Sequence, residues 1–333
     1  MSNPLLDNRT PLVDAYCHIG LPRFSAANDA WATLGLAGID RAVFVLGPMV
    51  PDYAELFLAL EQHGNRVRAV GIPFGRTHAQ IVEVTELQLR GGVTGLRVQE
   101  PDLLTSEAFL RVIGARGRWL YAINVFRTPE VTRSLLDWLE RYPDARIAAP
   151  HFLHAGALLR GDVGDSLRRN LVSHPHFHPI FSRQGGVGSQ RPYPHEDLRP
   201  WVEQVIELAG WERILWGSEY PVLYWRNETL AGCRDWLPAL GVGADEARLA
   251  GFLGGNAARA LFADPPPAAE PVTFPAWVDA QFDRQRTVPL FQPAGLDVPM
   301  ALYATLHHRF VAELQARPGL TFAAYCMEKL GDM

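Results

Sequence analysis

The most constraining feature of this sequence is an alternation of short apolar runs with longer amphipathic segments, which continues from residue 12 to residue 262. Strands that alternate with helices form parallel sheets with right-handed crossovers, and eight such units close into a barrel. The eight predicted strands are Leu12–Cys17, Ala42–Leu46, Arg68–Pro73, Thr94–Val98, Leu120–Phe126, Arg146–His151, Phe177–Ser182 and Ile214–Gly217. The sequence therefore predicts an α/β protein with a (β/α)8 TIM-like barrel.

A doubly wound open sheet is the alternative architecture. No G-x-G-x-x-G follows the first strand, which weighs against it. The segments between the strands carry the apolar period of amphipathic helices, and Pro129 after Thr128 fits a first helical turn. The predicted helices are Tyr53–His63, Gln80–Arg90, Ser106–Ile113, Pro129–Arg141, Leu198–Ala209 and Asn227–Leu240.

The barrel pattern stops at DPPPAAE, where three consecutive prolines end any preceding helix and stiffen the chain. We therefore predict a barrel over residues 1–263, a proline-rich linker over residues 264–270, and a C-terminal extension over residues 271–333. The extension contains a predicted helix at Met300–Leu314 and is short for an independent core. We expect it to pack on the barrel or on the partner subunit of a homodimer.

Charge and composition favour a small-molecule substrate. The chain has 31 basic and 36 acidic residues and no basic run, which argues against binding to nucleic acid or to an anionic membrane. No apolar stretch is long enough to cross a membrane, and the first residues lack a signal-peptide pattern. The three cysteines are dispersed and odd in number, so we predict a cytoplasmic protein. Lys329 is the only lysine, which excludes most lysine-based mechanisms.

Titratable residues stand at the ends of three predicted strands, and reactive groups of parallel barrels lie at the C-terminal ends of strands. Tyr16 and His18 are two residues apart on the first strand, so their side chains should share a face. His151 ends the sixth strand and Glu219 follows the eighth. A single histidine is often structural. These residues, however, come from three different strands and should lie at the same end of the barrel, which indicates a catalytic site.

Two arginines also stand at strand ends. Arg97 ends the fourth strand and Arg183 follows the seventh, and a guanidinium group binds a carboxylate through two parallel hydrogen bonds. Both could equally form salt bridges at the barrel rim. His154 lies three residues after His151, where it could contact the substrate or cap the next helix.

Five motifs carry a resemblance to a known family. They are VDAYCHIG at 13–20, GLRV at 95–98, PDARIAAPH at 143–151, RILWGSEYP at 213–221 and GNAARALF at 255–262. Over Pro11 to Phe262 the chain resembles the amidohydrolase superfamily, in the branch that contains small lactonases and aminocarboxymuconate-semialdehyde-type decarboxylases. This resemblance implies a TIM-like barrel and either of those activities.

The chain departs from the family's metal-ligand pattern at three positions. Tyr16 replaces the first histidine of His-x-His, Asn124 stands at the place of the strand-5 histidine, and Glu219 replaces an aspartate. The remaining His18, His151 and Glu219 could still hold a single zinc or manganese ion. Since an Asn amide is a poor ligand, and some similar lactonases work without metal, we predict no cofactor.

The leading hypothesis is hydrolysis of a small carboxylate-bearing lactone, ester or amide. Glu219 would accept a proton from water, and the carbonyl would be polarised by His18, His151 and Tyr16. Predicted substrate contacts are Arg97, Asn124, His154 and Arg183.

Three alternatives stay open. The first is metal-dependent, non-oxidative decarboxylation of an aromatic or muconate-like acid, which the same branch performs. The second is a catalytically altered or inactive barrel that binds a ligand or partner, and the third is a biosynthetic condensation or cyclisation.

Overall fold

The computed structural model describes residues 10–151, 165–185, 188–226, 228–285, 289–291, 298–314, 316–317 and 319–330. Eight parallel strands form one sheet in chain order, which confirms the predicted (β/α)8 barrel. The strands are β1 (Val13–Ile19), β2 (Arg41–Leu46), β3 (Val67–Gly71), β4 (Gly95–Val98), β5 (Trp119–Ala122), β6 (Arg146–Ala149), β7 (Phe177–Phe181) and β8 (Leu215–Trp216).

Backbone hydrogen bonds beyond β8 join the last strand to the first. The N–H of Glu219 donates to the carbonyl of Tyr16 (2.8 Å), and the N–H of His18 donates to the carbonyl of Tyr220 (2.6 Å). Gly217 allows this close approach, because a Cβ there would lie 2.8 Å from the Cβ of Tyr16. These contacts place β1 and the segment after β8 side by side at the C-terminal end of the barrel.

Helices alternate with the strands and cover the barrel. They are α1 (Ala27–Leu36), α2 (Tyr53–His63), α3 (His78–Arg90), α4 (Glu100–Thr105), α5 (Glu107–Ala115), α6 (Pro129–Arg141), α7 (Asp165–Ser173), α8 (Arg199–Ala209), α9 (Leu230–Ala239), α10 (Glu246–Ala250) and α11 (Asn256–Phe262). Shorter turns are Gly64–Arg66, Glu196–Leu198, Val222–Arg226 and Gly251–Gly255. Helix α6 has its predicted bounds, since Thr128 caps it and Pro129 fills its first turn.

The fifth and sixth strands end earlier than predicted. Strand β5 was predicted to end at Phe126, but Asn124 already has a left-handed backbone, with φ of 58°. Strand β6 was predicted to end at His151, which is itself left-handed, with φ of 55°. A left-handed residue turns the chain out of the extended conformation that a strand needs. The apolar residues that follow Asn124 pack as a loop instead.

The core has two layers. Inside the barrel, buried side chains include Val43, Val45, Tyr121 and Ile180, and α11 closes the N-terminal end with Leu261 and Phe262. Outside the barrel, a larger cluster packs the outer face of the strands against the surrounding helices. The alternate side chains of each strand supply the two layers, which is the arrangement that a parallel barrel requires.

The chain after the barrel first runs along its outer surface. Glu270 pairs with Arg90 at the end of α3 (2.9 Å). Helix α12 (Ala276–Gln285) follows, and before it the Phe274 ring stacks on Tyr53 at 4.4 Å. Strands β9 (Pro289–Phe291) and β10 (Val298–Pro299) then pair antiparallel.

Helices α13 (Met300–Leu314) and α14 (Phe322–Leu330) form their own apolar cluster, which packs against Tyr224 and Trp225 in the segment after β8. Helix α13 has its predicted bounds. None of the helices in the described ranges is long and apolar enough to cross a membrane.

Candidate active site

A cavity of about 150 Å³ lies at the C-terminal end of the barrel. A second cavity of about 240 Å³ shares Pro48 and Arg97 with it, so the two are adjacent. The first is lined by His18, Arg23, Phe24, Pro48, Arg97, His151, Arg183, Glu219, Val222 and Trp225. Five of the eight residues that the sequence singles out therefore face one space.

Four residues after consecutive strands adopt left-handed backbone conformations. Asn124, His151, Arg183 and Glu219 follow β5, β6, β7 and β8, with φ between 55° and 59°. Such a conformation costs a non-glycine residue on the order of 1 kcal/mol or more, and it concentrates at functional sites. Here it turns three of the four side chains toward the cavity.

His151 and Glu219 form a buried pair. The His151 Nε2 lies 3.2 Å from the Glu219 Oε1, and the Glu219 side chain is only 2% exposed. Ser182 Oγ accepts the backbone N–H of His151 (3.0 Å) and lies 3.4 Å from His151 Nδ1. The Ser182 hydroxyl can therefore donate to Nδ1, which leaves the ring hydrogen of a neutral His151 on Nε2, directed at Glu219.

Arg183 completes this group. One of its guanidinium nitrogens, Nη1, lies 3.5 Å from the same Glu219 Oε1. The Arg183 side chain is 35% exposed, so it connects the buried carboxylate to the open part of the cavity. Glu219 is thus a carboxylate held between a histidine and an arginine at the edge of the site.

His18 faces the cavity as a hydrogen-bond acceptor. Its Nδ1 lies 2.9 Å from the Val45 carbonyl oxygen, which can only accept, so Nδ1 carries the hydrogen. Burial lowers the pKa of His18 to about 3, so the ring is neutral at pH 7 and its Nε2 has a lone pair. His18 therefore cannot donate to a developing oxyanion as the sequence suggested. Instead, it can accept a hydrogen bond from water or substrate.

Tyr16 lies beneath the cavity rather than on its wall. A bulge between Asp14 and Cys17 directs both Tyr16 and His18 inward, and their ring centroids are 4.8 Å apart. The Tyr16 hydroxyl accepts a hydrogen bond from Arg97 Nε (3.1 Å) and lies 3.5 Å from His151 Nε2. Burial raises the pKa of Tyr16, so this phenol stays protonated and supports the groups above it.

Asn124, by contrast, is not on the cavity wall. It is half-buried beyond β5 and is absent from the lining of both cavities described above. His154 lies outside the described residues.

Sequence reasoning missed Arg23. It follows β1 in a loop rather than at a strand end, so the rule used for the other residues could not find it. Its guanidinium lies 4.9 Å over the Phe24 ring. Burial and the charge of Arg97 lower the pKa of Arg23 to about 10, which still leaves it cationic at pH 7. Its neighbour Phe24 and the loop residue Trp225 were missed for the same reason.

Arg23, Arg97 and Arg183 give the cavity three cations. The Nε atoms of Arg23 and Arg183 are buried and have no hydrogen-bond partner among the described residues. A buried charged donor without a partner is unfavourable, so this arrangement favours an anionic ligand such as a carboxylate. The guanidinium geometry suits bidentate binding.

The same residues fit a divalent metal ion poorly. A metal between His18, His151 and Glu219 would compete with the His151 and Arg183 contacts to the carboxylate, and it would lie close to three guanidinium charges. Within the described ranges, no three His, Cys, Asp or Glu side chains are grouped so that they could hold a metal ion. The protein's own side chains are therefore the candidate catalytic groups.

Buried histidines make stability dependent on pH. Burial lowers the pKa of His18, His178 and His307 to about 3. Since the unfolded chain titrates near 6.5, it binds more protons as the pH falls from 6.5 to 3, and stability is lost. Burial of Asp14 raises its pKa to about 6, so this carboxylate stabilises the fold as the pH falls through 6 and partly offsets the loss.

We expect the free energy of unfolding to fall by on the order of 5 kcal/mol between pH 7 and pH 5, measured by urea unfolding. His178→Phe should remove about a third of this fall. The exposed, non-titrating Leu36 serves as the control, and Leu36→Ala should leave the pH dependence unchanged. A stability that is the same at both pH values would contradict the neutral, buried state of these rings.

Comparison with known proteins supplies the family. A family model described as amidohydrolase matches residues 5–263. Over 105 residues the chain is 31% identical to the L-fucono-1,5-lactonase of Burkholderia ambifaria, a match that covers 30% of this chain and 35% of that protein.

Two solved structures share the fold. A candidate 2-pyrone-4,6-dicarboxylic acid hydrolase from Pseudomonas putida has a TM-score of 0.57 and 20% identity, and the alignment covers 76% of this chain and 97% of the other. A 2,6-dihydroxybenzoate decarboxylase in complex with 2,6-dihydroxybenzoate has a TM-score of 0.53 and 13% identity, with coverage of 76% and 98%. Because the family model matches most of the chain, the chain belongs to the amidohydrolase family.

Proposed function

We propose that this protein hydrolyses a small lactone that bears a carboxylate, without a metal ion. The observation that carries this proposal is Glu219, a buried carboxylate on the wall of a cavity to which, among the described residues, three arginines also contribute charge. A carboxylate can serve as a general base, and the arginines can bind the substrate's negative charge and the charge that develops during attack.

The proposed reaction begins with a water molecule that donates hydrogen bonds to His18 Nε2 and to Glu219. Glu219 takes one water proton as the water oxygen attacks the lactone carbonyl. The guanidinium of Arg97 stabilises the resulting oxyanion, while the hydrogen on His151 Nε2 keeps its contact with Glu219 and holds the carboxylate in place. The ring C–O bond then breaks, and the departing oxygen receives the proton from Glu219. The net result is addition of one water to give a hydroxy acid.

Substrate selection in this proposal comes from Arg23 and Arg183. Their buried Nε donors can pair with the substrate carboxylate, which holds the reactive carbonyl near Glu219. An uncharged lactone would leave both of these Nε donors without a partner. The protein should therefore prefer a carboxylate-bearing lactone over an uncharged one, although the relative from Burkholderia ambifaria is named for an uncharged sugar lactone.

Three substrates separate the candidate activities. Acid release at constant pH should be observed with 2-pyrone-4,6-dicarboxylate and should be much slower with L-fucono-1,5-lactone. Incubation with 2,6-dihydroxybenzoate should release no carbon dioxide. Carbon dioxide release from that acid, with neither lactone hydrolysed, would instead establish the decarboxylase alternative.

Arg23→Gln should weaken productive binding of the carboxylate lactone. Loss of a hydrogen bond to a charged group typically costs about 1.5–3 kcal/mol, so KM should rise by roughly 10-fold to 100-fold. The measurement is steady-state acid release, with Arg111→Gln on the outer surface of α5 as a matched control. If Arg23→Gln leaves KM unchanged while Arg183→Gln raises it, Arg23 has no part in binding the substrate.

A further inference from the structure

Trp225 links the cavity to the C-terminal extension. It lies in the turn after β8 and lines the cavity. Its indole stacks on Phe24 of the barrel, with centroids 5.8 Å apart and planes 19° apart. On the extension side it stacks on Phe322, at 5.6 Å and 18°. The indole is therefore held between one aromatic ring of the barrel and one of α14.

A hydrogen bond from the extension fixes the orientation of this indole. Trp225 Nε1–H donates to Nδ1 of His307 at 3.0 Å, and His307 lies on α13 with 2% exposure. Burial lowers the pKa of His307 to about 3, so the ring keeps the Nδ1 lone pair that accepts this hydrogen bond. Stacking alone would leave an indole free to slide in its plane, whereas a directional hydrogen bond defines its position.

The aromatic contacts continue from Trp225 to the charged groups of the site. Phe24 stacks in parallel on His18, with centroids 4.9 Å apart, and carries the Arg23 guanidinium on its face. The extension also contacts this loop directly, because the N–H of Ala304 on α13 donates to the carbonyl of Pro22 at 2.7 Å. Helix α13 thus supports both loops that form this side of the cavity.

We propose that His307 is a positioning residue for the active site, which fixes Trp225 and, through Phe24, the Arg23 guanidinium that selects a carboxylate ligand. This inference rests on the proposed function in one respect, because it takes the ligand to be a carboxylate. It makes the C-terminal extension a part of the site, although none of the described residues of the extension lines the cavity. Two measurements test it: the indole N–H resonance of Trp225, which needs no ligand, and the binding of a non-hydrolysable dicarboxylate, which needs no turnover.

The first measurement is the indole N–H resonance of Trp225 in protein labelled with 15N-tryptophan, identified by its absence in Trp225→Phe. His307→Leu should shift this resonance upfield and speed its exchange with solvent, because the acceptor is gone. His307→Asn places an amide oxygen near the position of Nδ1 and should largely restore it. His308→Leu, an exposed change on the same helix, should have no effect.

The second measurement is the binding of isophthalate, a planar dicarboxylate that cannot be hydrolysed, by calorimetry. His307→Leu and Trp225→Phe should each raise its Kd by about tenfold, the effect of losing one ordinary hydrogen bond. Because both remove the same hydrogen bond, the double variant should bind no more weakly than either single variant. His307→Asn should bind within a few-fold of the unmodified protein.

An unchanged Trp225 resonance in His307→Leu, or an unchanged Kd in both single variants, would overturn the inference. If His307→Leu does not fold, Trp225→Phe decides the question through Kd alone. Failure of the proposed function looks different: no lactone would be hydrolysed, while the indole resonance would still respond to His307. Turnover adds a further distinction, since a positioning role should change KM for a carboxylate lactone more than kcat.

Discussion

Glu219→Gln is expected to reduce kcat for lactone hydrolysis by roughly 100-fold to 10,000-fold, the range typical of a lost general base. Glutamine keeps the shape of the side chain and can still contact His151 and Arg183, but its amide cannot accept a proton at neutral pH. KM should therefore change little. The decisive measurement is steady-state acid release with circular dichroism to show that the fold is retained.

The control for this variant is Glu246→Gln, which changes an exposed carboxylate at the start of α10. It should have the rate of the unmodified protein. A near-normal rate for Glu219→Gln as well would remove Glu219 from the mechanism. In that case His18, whose Nε2 lone pair faces the cavity, would be the next candidate base.

Truncation after Asp264 is expected to cause aggregation. It would remove Phe274 from its stack on Tyr53, and it would uncover the faces of Tyr224 and Trp225 that the extension covers. Contiguous apolar surface of this kind drives self-association. The measurement is the soluble and monodisperse fraction after expression, compared with a control that ends at Leu330.

Any truncated protein that remains soluble should bind isophthalate more weakly, since the support for Trp225 is gone. A truncated barrel that is soluble, monodisperse and fully active would show that the extension is dispensable. That result would also contradict the positioning role of His307.

The sequence was most informative where local chemistry decides the structure. Helices α2, α6 and α13 have their predicted bounds, because capping residues and apolar periodicity act within a few residues of the chain. Strand ends were less predictable. The polar residues Asn124 and His151 were placed at or before the end of a strand, whereas their left-handed backbone conformations end the strands earlier.

The part of the candidate site that lies at strand ends was predicted from the sequence. His18, Arg97, His151, Arg183 and Glu219 all line the cavity, because a closed parallel barrel brings the ends of its strands together. The alternation of side chains along β1 predicted that the Tyr16 side chain points into the barrel, but not that it lies beneath the cavity. Whether a side chain lies on the wall or beneath it depends on the packing of neighbouring strands.

Arg23, Phe24 and Trp225 could not be predicted from their own positions. They lie on loops, and their approach to the cavity depends on contacts with α13 and α14, which are far away in the sequence. Non-local contacts of this kind leave no periodic pattern. The aromatic content of the extension was the available signal that it packs against the rest of the protein, because so many large apolar side chains are rarely left exposed to water.

Three arginines beside one glutamate give this site a different distribution of charge from the one that a bound metal ion would give. A divalent ion supplies positive charge at a point, whereas guanidinium groups spread it along the wall and donate hydrogen bonds in fixed directions. In the proposed reaction, that positive wall stabilises both the substrate carboxylate and the developing oxyanion, and Glu219 handles the proton.

The most direct test of metal-free hydrolysis is elemental analysis of the purified protein combined with acid release from 2-pyrone-4,6-dicarboxylate before and after chelation. We expect well under one equivalent of zinc or manganese and a rate that chelation does not change. A stoichiometric metal, with activity that is lost on chelation and restored by adding zinc or manganese, would contradict the account and return His18, His151 and Glu219 to the role of metal ligands.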